Sequence, residues 1–282
     1  MTINSKAKIR KKVLSCIHCL VMMTVAVIMF LPFAWILSTS LRLPKDSFLL
    51  PPSFLPTEFR IENYIEVFEV FPFSKYFMNS LFVATLSTFL QVIATAFAAY
   101  GFSRINFRFR NILFIVLLSG LMIPAQSTIV PVFIQIKEIK LYNTLWALIL
   151  PALYNPSGLF LTRQFMMTIP KSYDEAAYVD GAGRMRIFMN VILPMSKAPI
   201  AMVAVNCFIV KWNDFFSPLI FLSDNEKLTL PLALVILRGS YGSGSLSVVL
   251  AGVVISMIAP LLLYIFGQKY LMGGVMTAGL KS

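Results

Sequence analysis

The chain has 282 residues, of which 58% are hydrophobic and only 13% charged. An ordinary soluble domain carries roughly a quarter charged residues, so this one lacks the charge to coat a water-soluble globule. Its formal net charge is +12, yet Lys and Arg sit in short segments between apolar blocks. A nucleic-acid reader instead gathers them on one face or arm beside stacking aromatics, so the reading is an all-α integral membrane protein with lipid, not nucleic acid, around it.

Six apolar blocks follow in chain order, at about 13–37, 77–100, 112–133, 144–165, 198–222 and 248–270. Each approaches the ~20 residues needed to cross ~30 Å of hydrocarbon. The first follows Lys6, Lys8, Arg10, Lys11 and Lys12, and is longer than the apolar core of a signal peptide. It reads as a retained first helix. Within it Cys16 and Cys19 bracket His18. Two thiols three apart share one helix face, but no second ligand pair completes a tetrahedral metal site. No metal is expected.

Between the first two blocks lies a long segment, 38–76, where four prolines precede a stretch with helical apolar spacing at 61–68. It predicts a short amphipathic helix. Pro124, Pro131, Pro151, Pro156 and Pro218 lie within or beside later blocks. Membrane helices accept such prolines where neighbours re-satisfy the freed backbone groups, which predicts kinks. The segment 223–247 contains Arg238, Gly239, Ser240, Tyr241 and Gly242, running into a glycine-serine tip expected to be flexible.

Charge sets the expected orientation. With the N-terminus inside, the inside segments carry 15 Lys and Arg against 3 acidic residues, and the outside segments 8 against 8. This follows the positive-inside rule and predicts six transmembrane helices with both termini cytoplasmic, in one domain spanning 1–282.

The chemistry that is missing narrows the function. No GxxxxGKS or GxxxxGKT phosphate loop occurs, so the chain does not cradle ATP itself. One histidine, and one acidic residue inside a block, supply no intramembrane catalytic pair; no enzyme is expected. The exception to apolarity is Lys211-Trp212-Asn213-Asp214 in the fifth block. Intramembrane charges mark function by default, which makes these four a candidate translocation path. A neutralised i, i+3 pair stabilising a break in the helix explains them equally well.

The segment 166–197 is too structured for a connector. Acidic residues in the first turn of a helix starting near Ser172 suit the positive end of its dipole, and Gly181 supplies a natural helix end. An amphipathic second helix then runs from Arg184 to Pro194. Physically this is a helix-turn-helix lying along the inner face, either docking a partner or resting on lipid headgroups.

The residues Glu175, Ala176, Ala177, Asp180, Gly181 and Ala182, continued by Phe188, Ile192, Leu193 and Pro194, resemble the EAA loop of binding-protein-dependent ABC import permeases. The run from Ala98 to Arg104, Trp212-Asn213-Asp214-Phe215 and the tail from Thr277 extend the likeness, which is to the carbohydrate-uptake branch. The chain departs from the family pattern in having Ala198 before Pro199, and in a tail that ends Gly-Leu-Lys-Ser.

The resemblance implies the type I ABC importer permease fold in the bacterial plasma membrane. It implies a second, homologous permease subunit, two cytoplasmic ATPase subunits that use ATP and Mg, and an extracytoplasmic solute-binding protein. No cofactor is then bound by this chain. Glu175 would anchor the ATPase, Ala176 and Ala177 pack against it, Asp180 and Gly181 set the turn, Ala182 complete the coupling motif, and Arg238 to Gly242 reach the binding protein. A permease for another solute, or a gradient-driven carrier without an ATPase, are the competing readings.

Overall fold

The computed structural model describes residues 3–43, 46, 56, 58–70, 72–241 and 245–279. Among the described residues the regular structure is helical, with no strand. In chain order the helices are α1 (Ile3–Ser40), α2 (Glu62–Val70), α3 (Phe73–Arg104), α4 (Arg110–Ser119), α5 (Ala125–Glu138), α6 (Trp146–Ile149) and α7 (Pro156–Thr168). They continue as α8 (Ser172–Val179), α9 (Arg184–Ile187), α10 (Leu193–Met195), α11 (Lys197–Trp212), α12 (Phe216–Phe221), α13 (Leu230–Tyr241) and α14 (Leu246–Gly279).

Among the described residues, three helices are long and apolar enough to cross a membrane: Lys12–Ser40, Phe73–Arg104 and Leu246–Lys269, with mean hydropathies of 2.5, 1.9 and 2.6. At about 1.5 Å per residue, even the shortest exceeds ~30 Å of hydrocarbon. Two bent pairs raise the number of spans to as many as five, if each pair is one span. One joins Arg110–Met122 to Gln126–Glu138 at 113°, and the other joins Arg184–Met195 to Lys197–Trp212 at 77°.

The apolar blocks at 112–133, 144–165 and 198–222 are thus each interrupted. Ile123 is extended before Pro124, as a residue before proline prefers. Tyr154 is extended, and the Asn155 side chain accepts the Gly158 N–H to start α7 with Pro156 in its first turn, where a missing N–H costs nothing. A widened π turn, Phe188–Ile192, precedes Pro194, whose ring and absent N–H exclude a regular turn there. Hydropathy registers composition only; Pro124 and Pro156 stand at two of the breaks, whereas Pro131 lies inside α5 and Pro218 inside α12.

The chain divides into two compact units, 1–71 with 237–255 and 72–236 with 256–282. In the first, the predicted amphipathic helix is α2, and it closes the end of α1. The buried Asn63 Nδ2 donates to the carbonyls of Ser40 and Arg42 at 2.8 Å each, satisfying acceptors that a helix C-terminus leaves open. Ser40 Oγ and Tyr64 Oη lie 2.7 Å apart.

In the second unit α3 is the central helix, packed along α11 and α7. Its buried face carries Ser80, Ala84, Ser87, Gln91, Thr95 and Ala99. These recur every three or four residues, and small side chains at that spacing let helix backbones approach closely without an aqueous hydrophobic drive. One core cluster, around Tyr100, Met166, Ile187, Phe188 and Ile192, lies at the Arg104 end of α3. Another, around Val83, Leu148, Ile149 and Phe221, lies towards its other end.

Candidate docking site

The turn between α7 and α8 begins at Ile169, which is extended, and Pro170. Asp174 and Glu175 fall in the first turn of α8, where carboxylates oppose the positive end of the dipole. The helix ends in a Schellman motif. The Ala182 N–H donates to the Ala177 carbonyl at 2.9 Å and the Gly181 N–H to that of Tyr178 at 3.0 Å. Gly181 has φ +77°, with nothing within 4 Å of where a Cβ would stand. Its requirement is therefore the left-handed backbone, not space.

This geometry sorts the side chains. Ala177 and Ala182 pack inward against the core around Ile187 and Phe188, the small apolar contact that accompanies such a cap. Ala176 and Asp180 face out. So do Tyr173, Tyr178 and Met185, and Val179 is 89% exposed. Of the two alanines, only Ala176 is free to meet another surface. Tyr173, Tyr178 and Val179 leave solvent-facing apolar side chains on one short helix, a candidate interaction surface.

Glu175 is exposed and lines a cleft of about 270 Å³ with Lys171, Tyr178 and Arg184 on the loop, and Tyr100, Arg104 and Asn106 beside it. On the inner wall, Arg104 Nη1 pairs with Asp174 Oδ2 at 3.0 Å, with only 7% and 14% of the two side chains exposed. Arg104 Nη2 also donates to the Ile169 carbonyl at 2.7 Å. One turn earlier, Tyr100 Oη donates to the Arg184 carbonyl at 3.0 Å, and its ring packs on Phe188 at 4.9 Å. The pair is half-buried on the cleft wall, so its attraction is screened less than that of an exposed pair. Nothing in the sequence pairs residues 70 apart, and the spacing of apolar residues is blind to the bond.

The four residues of the fifth block also separate. Trp212 is buried, stacked on Phe208 at 5.7 Å and edge-on to Phe77 of α3 at 5.4 Å. Asn213 Nδ2 donates to the Ile209 carbonyl and closes α11. Lys211 Nζ lies 3.5 Å from Asp214 Oδ2, and Asp214 Oδ1 accepts the Ser217 N–H at 3.1 Å, capping α12. Lys211 and Asp214 line a cavity of about 340 Å³ with Gln126, Thr128 and Ser217. The pair thus sits at a helix break and also faces an open space.

A smaller cavity, about 180 Å³, lies beside Asn155, Ser157 and Asn206. Met202, Asn206, Val210 and Asp214 follow one another at i+4 along the two cavities.

At the end of α3 remote from Arg104, the segment 222–230 is pinned by polar contacts. Asn143 Oδ1 accepts the N–H groups of Ser223 and Asp224, Lys75 pairs with Glu226 at 2.9 Å, and Asn79 donates to the carbonyls of Glu226 and Leu228. The Glu226 N–H, followed by Lys227, holds the Asp224 carboxyl below the usual aspartate range.

Gly239, Ser240 and Tyr241 form the end of α13 rather than part of a flexible tip, and Arg238 and Gly239 are exposed. Gly242 lies outside the described residues.

A family model described as "Binding-protein-dependent transport system inner membrane component" matches residues 91–272, from the middle of α3 into α14. The chain belongs to this family. As an inner membrane transport component it is a multi-pass protein of the bacterial plasma membrane. It is 33% identical over 252 residues to the probable ABC transporter permease protein YurM of Bacillus subtilis, covering 89% of this chain and 83% of that one. It is 30% identical over 280 residues to the trehalose/maltose transport system permease protein MalG of Thermococcus litoralis, covering 98% and 99%. A chain from the crystal structure of a bacterial ABC transporter importing the acidic polysaccharide alginate superposes with a TM-score of 0.80 at 22% identity, over 93% of this chain and 97% of that one. The importer-permease fold is therefore shared.

Proposed function

We propose that this chain is the permease subunit of an ATP-binding-cassette importer for a sugar or oligosaccharide, forming half of the pathway and docking its ATPase through α8. The observation that carries the reading is α8 itself. It packs Ala177 on the core and ends in a left-handed glycine turn, with Val179, Tyr173 and Ala176 facing out and Glu175 at their edge. The sequence carries no phosphate loop, so in this reading ATP is bound by a partner and its energy enters through α8.

In this reading α1, α3, α4 with α5, α6 with α7, α11 with α12, and α14 make six spans, with both termini and α8 on the cytoplasmic side. The excess of Lys and Arg in those segments supports that orientation. A second, homologous permease completes the pathway, two ATPase subunits bind ATP and Mg, and an extracytoplasmic binding protein delivers the solute beside Arg238 and its neighbours. The near full-length match to a trehalose/maltose permease supports a sugar. The Lys211–Asp214 cavity is the part of the path that this chain supplies.

The test is co-purification. A tagged wild-type chain in mild detergent brings down a soluble ATPase. Glu175→Lys reverses the charge at the edge of the docking face without touching the core, and loses that ATPase. Retention of the ATPase by Glu175→Lys, with ATP-driven uptake intact, would remove Glu175 from the interface.

A further inference from the structure

The docking reading leaves open how a push on α8 reaches the cavity around Lys211, and α3 is built to carry it. Of the three helices long enough to span a membrane, α1 and α14 contain an internal proline, Pro32 and Pro260. The 32 residues of α3 contain none. Proline is the commonest cause of a sharp kink, so α3 is the stiff member of the set, about 48 Å long at 1.5 Å per residue.

Both of its ends are fastened. At one end Arg104 holds Asp174 on α8 and the carbonyl of Ile169, while Tyr100 holds the carbonyl of Arg184 on the opposite limb of the loop. At the other end Phe77 meets Trp212, next to Lys211. The outward face of α8 takes no part in these bonds. We infer that the half-buried Arg104–Asp174 pair is a transmission strut, which makes α8 and the proline-free α3 move as one body and so carries ATPase movement to the cavity. This rests on the docking function proposed above.

A pair serving only packing would hold the loop in place and nothing more, so the test separates attachment from transmission. A reporter cysteine, Asn206→Cys, is placed in the smaller cavity of a chain carrying Cys16→Ser and Cys19→Ser; the native Cys207 is buried. The complex with its co-purified ATPase is reconstituted in liposomes. A water-soluble methanethiosulfonate reagent is applied with and without ATP and vanadate, so no transported solute is needed. With the strut intact, nucleotide trapping changes the labelling rate by about fivefold or more, the scale of an ordinary coupling between sites.

Arg104→Gln and the isosteric Asp174→Asn keep the ATPase bound and trap nucleotide, yet the change in labelling disappears. Arg104→Lys, which preserves the charge but not the second grip on Ile169, retains part of it. A full change in labelling in both Arg104→Gln and Asp174→Asn overturns the inference. So does loss of the ATPase from both, which would make the pair an assembly element. If the unsubstituted chain holds no ATPase, the docking function itself fails, and the strut with it.

Discussion

Gly181 sits where an inward alanine pair and an outward apolar face must be divided within one turn. Only a residue tolerant of φ +77° closes α8 with both capping bonds in place. A β-branched side chain meets no neighbour there, but its Cβ opposes the following carbonyl, at about 1–2 kcal/mol per residue. Gly181→Val should therefore leave the spanning helices folded while unwinding the end of α8. The expected outcome is normal membrane expression, faster proteolysis between Tyr178 and Arg184, and weakened ATPase co-purification. Unchanged protease resistance would mean that the turn imposes no such demand.

At the scale of elements, the break between α11 and α12 is the one that carries a charged pair. Asp214 both caps α12 and faces Lys211, so each single substitution strands a charge in a poorly solvated setting. Lys211→Leu and Asp214→Asn should each lower the thermal aggregation midpoint of the assembled complex. The double variant, which retains a capping amide at 214, should lose less than the sum of the two. The coupling energy should lie within about 0.5–3 kcal/mol. Strict additivity would show that the 3.5 Å pair contributes nothing.

The same element marks the limits of sequence pattern. Helical character, α2 and the two helices of the 166–197 segment were legible, because periodicity and capping chemistry are local. The break at Lys211 was legible as one of two readings, since i, i+3 charges pair on any helix. The bend at Pro124 was legible only as a kink, and the π turn and bend beside Pro194 were not legible, because the apolar spacing reads as one helix running up to that proline. Arg104–Asp174 was not legible as a pair, because only tertiary packing brings those residues together.

For the whole molecule, a membrane chain whose sequence has no phosphate loop is proposed to work through the outward residues of α8, Tyr173, Ala176 and Val179. Family membership makes the chain a transport component, and the exposed face of α8 is the proposed place of coupling. The most direct measurement replaces Val179, 89% exposed, with a photo-crosslinking amino acid, and irradiates intact membranes. The account predicts one dominant adduct, with a soluble P-loop ATPase, that is lost when Glu175→Lys is added. Adducts with lipid alone would contradict it, placing α8 on the headgroups rather than on an ATPase.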